Sequence, residues 1–313
     1  MRYAIGVDLG GTNIAVGLVD EKFNIVDKMS VPTNAPRPAE EIVKDMAEVS
    51  ATLAQRNNVR PIGIGIGSPG IISGGVVRSA ANLKFTNVPL RGMMEAATGL
   101  TCALGNDANV AALGENAVGS GKDAESFVMV TLGTGVGGGI IQNGKIIEGF
   151  NGAGAEIGHF LLQPGGRQCG CGKKGCFEAY CSASGLIQDT KEAMAAHPGC
   201  GIAKLCGGDP EKISGRTAFD AMRAGDPVGK EVVDTFIYRL GLGVSNIMVL
   251  LQPEVLAIGG GISREGETLL EPLREIAYAN SYFDSTTPRT KIVAATLRGD
   301  AGIVGAAALI LNA

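Results

Sequence analysis

Two glycine turns set between apolar runs constrain this chain more than anything else in it. Residues 8–13 read DLGGTN and residues 131–139 read TLGTGVGGG. Each follows a short apolar segment, YAIGVDL (residues 3–9) or ESFVMVTL (125–132), and each leads into another. Glycine lets backbone amides approach a ligand with no Cβ in the way, and small hydroxyls add donors, so such turns suit phosphate. The bland alternative is an ordinary β-hairpin turn. One device used twice predicts an α/β chain of two structurally related halves, with a cleft between them.

The rest of the chain fits that frame. IAVGLVD and NIVDKMSV follow the first turn closely enough for an antiparallel meander. Residues 39–56 repeat apolar positions at helical spacing. PIGIGIGSPG reads as a buried strand opening into a loop, LTCALGND as another strand, and ANVAALGENAVG as the helix after it. Beyond Cys176 helices are expected near 213–224, 227–250 and 265–280, interrupted by the strand PEVLAIGGG and closed by the helix AGIVGAAALIL. A length of 313 residues suits two domains. The expected division is 1–118 plus 300–313 for a smaller N-terminal α/β domain, and 119–299 for a larger one.

Several function classes are disfavoured. Two G-x-G-x-x-G matches, GIGSPG (65–70) and GTGVGG (133–138), lack the helix that a dinucleotide turn needs directly after it. No G-x-x-x-x-G-K-[ST] occurs. A net charge of −4 without a basic run argues against nucleic acid, and against a polyphosphate track. No apolar stretch approaches 18 residues and no long apolar leader opens the sequence, so no membrane partner and a cytoplasmic location are expected. Seven cysteines at irregular spacing make a disulfide framework improbable.

Two clusters carry candidate chemistry. In LGND (104–107), Asp107 ends a strand at the start of a helix. Its first reading is an N-cap, and its second is a carboxylate kept ionised beside a substrate hydroxyl. In HFLLQPGGRQCGCGKKGC (159–176), the spacing is His159-x9-Cys169-x-Cys171-x4-Cys176. Three thiolates and an imidazole match a closed tetrahedral zinc site, and the intervening glycines allow tight folding. The alternatives are a strained disulfide or three unconnected thiols. Cys102, Cys181, Cys200 and Cys206 read as small buried hydrophobes.

In their order, DLGGTN, GIGSPG, NLKFTNVPL, LGNDANVAALGE, TLGTGVGGG, AEIGHFLLQPGGRQCGCGKKGCFEAYCSASG and LAIGGG resemble the ROK family of bacterial sugar kinases and sugar-responsive repressors. The cysteine-rich segment is the most specific of these. The resemblance implies a two-domain actin-like ATPase (ribonuclease H-like) fold with a ligand cleft between domains. It implies a sugar held by Asn82, Asn106, Asp107, Glu156, His159 and Glu178. It implies ATP with Gly10, Gly11, Thr12, Asn13, Thr134 and Gly135 at its phosphates, and Gly259, Gly260 and Gly261 near its nucleoside. Asp8 would orient hydrated Mg2+. Structural Zn2+ on His159, Cys169, Cys171 and Cys176 would leave the second His159 nitrogen to a sugar hydroxyl.

The expected activity is transfer from ATP to the 6-hydroxyl of glucose, with Asp107 accepting the proton as an ordinary carboxylate of pKa ~3.9. Fructose, mannose or N-acetylmannosamine are the alternative sugars. A repressor would need a DNA-binding domain before Asp8, where seven residues stand. A dimer or tetramer is expected, as is common in the family. Two departures from the family pattern are noted: Ala155 where glycine often precedes the glutamate, and Phe85 where tryptophan is frequent near Asn82.

Overall fold

The computed structural model describes residues 1–283 and 286–312. The N-terminal meander forms as expected. It comprises β1 (Tyr3–Leu9), β2 (Asn13–Asp20) and β3 (Ile25–Pro32). β1 and β2 run antiparallel across the DLGGTN turn, with Tyr3 opposite Asp20 and Leu9 opposite Ile14. α1 (Ala39–Arg56) follows, burying Ile42, Val43, Met46, Val49 and Leu53 along one stripe. β4 (Ile64–Ser68) lies parallel to β1. β5 (Ile71–Ser73), β6 (Val76–Ala80) and β7 (Phe85–Val88) make a small separate sheet. Then come α2 (Leu90–Thr98), β8 (Cys102–Asn106) parallel to β4, and α3 (Asp107–Val118).

The second glycine turn joins β9 (Ser126–Leu132) to β10 (Val136–Gln142), with β11 (Lys145–Ile146) next. After the cysteine-rich loops, the chain forms α4 (Glu178–Cys181), α5 (Ala183–Ala196), α6 (Gly201–Cys206), α7 (Thr217–Arg223) and α8 (Pro227–Leu251). β12 (Val255–Gly259), α9 (Glu267–Ala279), β13 (Lys291–Ala294) and α10 (Ala301–Leu311) complete it. The two larger sheets have the orders β3-β2-β1-β4-β8 and β11-β10-β9-β12-β13. Each places the first strand of its meander at the centre, so the repeated turn does mark a repeated topology.

The described residues divide into two compact units. One contains residues 1–129, 139–155 and 296 onward, and the other contains 130–138 and 156–295. α8 is long and apolar enough to pass for a membrane span by length and composition, but 61% of the relevant window is buried. It serves as the central helix of the second unit, packed against α7 and α9.

α10 is the keystone of the first unit. Ten of its eleven residues are buried, as a helix apolar on every side must be. Burying each of Ile303, Val304, Ile310 and Leu311 stabilises by roughly 1.5–3 kcal/mol. It presses so close to α3 that a Cβ on Gly305 would lie 1.7 Å from the Val110 carbonyl oxygen. Behind that contact, Glu115 of α3 is fully buried. Its carboxylate accepts from Ser120 N (2.7 Å), Ser120 Oγ (2.8 Å), Thr296 Oγ1 (3.2 Å) and Leu297 N (2.6 Å). A buried carboxylate is tolerated only when its lone pairs are this well used, and here they fix the approach to α10.

Candidate active site

In the first unit, the DLGGTN turn is closed by Gly10 N donating to Asn13 O at 2.9 Å. It is braced by Thr33, which is fully buried. The Thr33 hydroxyl donates to Gly10 O at 2.7 Å, and its amide to Thr12 O at 2.8 Å. Nothing in the sequence pattern marks Thr33, because its role depends on β3 returning beside the turn. Thr12 and Asn13 are exposed at the turn's tip. Asn82 lies against it: a Cβ on Gly11 would stand 3.2 Å from the Asn82 Cβ.

The N-cap of α3 is Asn106, not Asp107. Asn106 Oδ1 accepts from Ala108 N (3.0 Å) and Asn109 N (3.2 Å), while its Nδ2 donates to Gly70 O at 3.0 Å. Both residue types cap well, so adjacent Asn and Asp are indistinguishable in sequence. The capping duty falls on the residue with extended backbone, φ −66° and ψ 142°. Asn106 keeps one N–H for a ligand. Asp107, the first helical residue, accepts from Ala108 N at 2.8 Å through Oδ1.

Burial raises the pKa of Asp107, against the expectation of an ordinary carboxylate. Asp8 is pushed up to about 6 by burial and by the nearby charge of Asp107. α10 begins against Asp8, with the position of a Gly302 Cβ only 2.6 Å from the Asp8 Cγ. The result is two half-buried carboxylates that disfavour each other's charge, an arrangement that a proton or a cation relieves. Phe85 belongs to the apolar core here and is 5% exposed.

In the second unit, a Cβ on Gly135 would lie 2.3 Å from Glu178 Oε2, so only glycine leaves room for that carboxylate. Val136 N donates to Glu178 Oε2 at 3.0 Å, and the Cys169 thiol to Oε1 at 3.4 Å. His159 ends a short 3₁₀ turn at residues 157–159, with its amide on Glu156 O at 2.9 Å. The carboxylate of Glu178 therefore links the TLGTGVGGG turn to the cysteine cluster.

The ligand atoms of His159, Cys169, Cys171 and Cys176 all lie within 4.8 Å of one another. His159 Nδ1 is 3.7 Å from Cys169 Sγ, and the Cys171 and Cys176 sulfurs are 3.6 Å apart. A tetrahedral ion with metal–sulfur bonds of ~2.3 Å has edges of about 3.8 Å, so these residues fit one. Burial pushes the Cys169 thiol up to about 12 and raises that of Cys176, whereas a backbone hydrogen bond from Lys173 lowers that of Cys171.

The loop bearing these cysteines is also clamped without metal. Arg167 donates to Asp189 (2.6 Å) and Glu192 (2.7 Å), and its amide donates to the Tyr180 hydroxyl at 2.6 Å. Arg239 reaches the same Asp189 at 2.9 Å, and both guanidinium groups lie over the Tyr180 ring, at 5.4 and 5.0 Å.

Beside the TLGTGVGGG turn opens a cavity of about 730 Å³, lined among others by Thr134, Gly261, Arg216, Arg223 and Arg264. Its size suits a small-molecule ligand. Gly260, at φ 82°, turns the chain past the Leu132 backbone and delivers Gly261 to this cavity from the end of β12. Arg216 and Arg223 stand at the two ends of α7 and Arg264 lies just beyond β12, and no motif marks them. Ala155 adopts φ 62°, which explains why glycine suits that position.

A profile of the ROK family matches residues 4–313. The chain belongs to the ROK family. Among its relatives, the glucokinase of Thermotoga maritima is 39% identical over 98% of this chain and 96% of that one. The glucokinase of Halalkalibacterium halodurans is 37% identical over 99% and 95%. A ROK family glucokinase from Streptomyces griseus, solved in complex with glucose and AMPPNP, aligns with a TM-score of 0.82, 36% identity and 98% coverage of both chains. The α/β architecture with its paired five-stranded sheets is thus the actin-like ATPase fold of the ROK sugar kinases.

Proposed function

We propose that this ROK protein is a glucokinase, transferring the γ-phosphoryl group of ATP to the 6-hydroxyl of glucose to give glucose 6-phosphate and ADP. The observation that carries this reading is similarity to glucokinases along nearly the whole chain. The sugar is held by Asn82, Asp107, Glu156, His159 and Glu178, with the remaining Asn106 N–H. The ATP phosphates meet Gly10, Gly11, Thr12, Asn13, Thr134 and Gly135. The nucleoside occupies the cavity beside Gly261, at the end of the Gly259–Gly261 segment.

Asp107 accepts the hydroxyl proton as the sugar oxygen attacks the γ-phosphorus in line. Burial makes it a stronger base than a solvated carboxylate, which favours this role. Phosphoryl transfer has a loose transition state, so positioning and charge neutralisation dominate. Asp8 is placed to hold hydrated Mg2+, which when bound neutralises phosphate charge. His159, Cys169, Cys171 and Cys176 would hold a structural Zn2+, which would fix the His159 ring and the Glu178 loop. With four protein ligands such an ion would have no open position at which to activate water. The exposed Val249 and Leu250 on α8 favour a homo-oligomer.

A coupled ADP-release assay over glucose, fructose, mannose and N-acetylmannosamine, with metal content measured on the same sample, tests the reading. Glucose should have the highest kcat/KM, and one zinc should accompany each chain. Preference for another sugar would replace glucose, and no turnover with any sugar would end the kinase reading.

A further inference from the structure

The cavity beside Thr134 contains three arginines in two different states. Arg223 is consumed internally: its guanidinium donates to Glu265 at 2.5 Å and to Asp220 at 2.6 Å. Arg216 and Arg264 line the same cavity, are exposed, and form no side-chain hydrogen bond or ion pair among the described residues. Two guanidinium groups with unspent charge therefore face a space of about 730 Å³.

The rest of the lining is equally informative. Apart from the Thr134 hydroxyl, which the glucokinase reading assigns to the phosphates, the uncharged lining of Leu132, Gly133, Ala183, Gly215, Gly261 and Ile262 offers no side-chain donor or acceptor. The two carboxylates present, Asp220 and Glu265, are each drawn to Arg223 through one oxygen, Oδ1 of Asp220 and Oε2 of Glu265. A site that distinguishes one base from another does so with side chains or backbone groups aimed at the base edge, and it rejects the wrong partner strongly because its polar groups are left unpaired. This cavity instead offers apolar walls, which fit a ring face, and planar cations. A guanidinium stacks on any aromatic face and pairs with any phosphate. Stacking tolerates different bases because every base has a π-face.

Resting on the glucokinase reading above, we propose that the donor pocket recognises nucleoside triphosphates as a class. Arg216 and Arg264 grip the donor by ring face and phosphate charge, and the identity of the purine is read weakly. GTP and ITP are then phosphoryl donors to glucose alongside ATP. The same bond is broken with each, between the γ-phosphorus and the bridging oxygen, and the corresponding diphosphate leaves.

The test is glucose 6-phosphate formation by the full-length zinc-bound protein with ATP, GTP and ITP at saturating glucose. The kcat/KM values for GTP and ITP should fall within about 30-fold of that for ATP, far short of the discrimination given by base-edge hydrogen bonds. A larger preference for ATP overturns the inference while leaving the glucokinase reading intact. Absence of turnover with ATP itself defeats the glucokinase reading instead. Arg216→Ala and Arg264→Ala supply a second readout. Each should raise the donor KM by about tenfold for all three nucleotides alike, without a matching rise in glucose KM. A rise confined to ATP, or none, assigns donor recognition elsewhere.

Discussion

The two glycine turns are built alike and stiffened differently. In the first unit, Gly11 makes room for Asn82, and the turn is braced by Thr33 through ordinary hydrogen bonds. In the second, Gly135 makes room for Glu178, whose other carboxylate oxygen meets a cysteine of a four-residue ligand cluster. One turn thus takes its shape from the folded sheet around it, and the other leans on a cluster of side chains from loops that have little regular structure. Beside the first turn the carboxylate of Asp8 is opposed by that of Asp107, whereas beside the second the Glu178 carboxylate accepts from a backbone amide and a thiol. Rigidity at the first turn is a property of packing, and at the second it rests on a ligand cluster beside the Arg167–Asp189 clamp.

The sharpest way to break the comparison is on the carboxylate side. Asp107→Asn should lower kcat by about 10³-fold while leaving glucose binding by calorimetry within a factor of a few, since the base is lost but the shape is kept. Retained turnover would dismiss Asp107 as the base. Next comes the metal. Cys171→Ser, or exhaustive chelation, should release zinc, raise glucose KM at least about tenfold and lower Tm, all together. If zinc is lost and glucose KM stays put, the cluster does not position His159 and Glu178.

A smaller effect sharpens the other half. Asp8 has its folded pKa raised from 3.8 to about 6, so the folded state holds a proton that the unfolded chain gives up between those values. Its contribution to stability is therefore full below pH 3.8 and is lost as pH rises through about 6. Asp8→Asn should raise Tm by a few degrees at pH 7.5 in chelator, and by less at pH 5, while activity disappears. A Tm gain that does not shrink on acidification would mean that charge is not its source. The smallest expected change is Ala155→Gly. Relief of a left-handed alanine against the extra backbone freedom of glycine should stabilise by about 0.5–1 kcal/mol, visible as a modest shift in a urea midpoint.

Elements with a strong local signature were legible in sequence. β1–β3 follow from apolar runs separated by tight turns, and α1 from its apolar spacing. α2 was not, because Gly92 interrupts LRGMMEAAT. Nor was α5, which follows Ser182 without a strong apolar stripe. β13 has only four residues, and what makes it a strand is parallel pairing with β12. Among site residues, those inside glycine turns and the cysteine cluster could be read from spacing. The cap at Asn106, the brace at Thr33, and Arg216 and Arg264 in the cavity could not, since each is defined by a neighbour distant in sequence or by backbone geometry.

α10 has a consequence for synthesis. The first unit takes most of its residues from the opening stretch of the polypeptide, yet the helix at 301–311 fills its centre, touching β1, β4 and α3. As the nascent protein emerges from the ribosome, that half must wait with an open apolar trough until the second unit has been made. Such long-range closure slows folding and leaves greasy surface uncovered in the interval. A chaperone has its opportunity there, and a truncation that trims α10 removes the plug from a unit built hundreds of codons earlier.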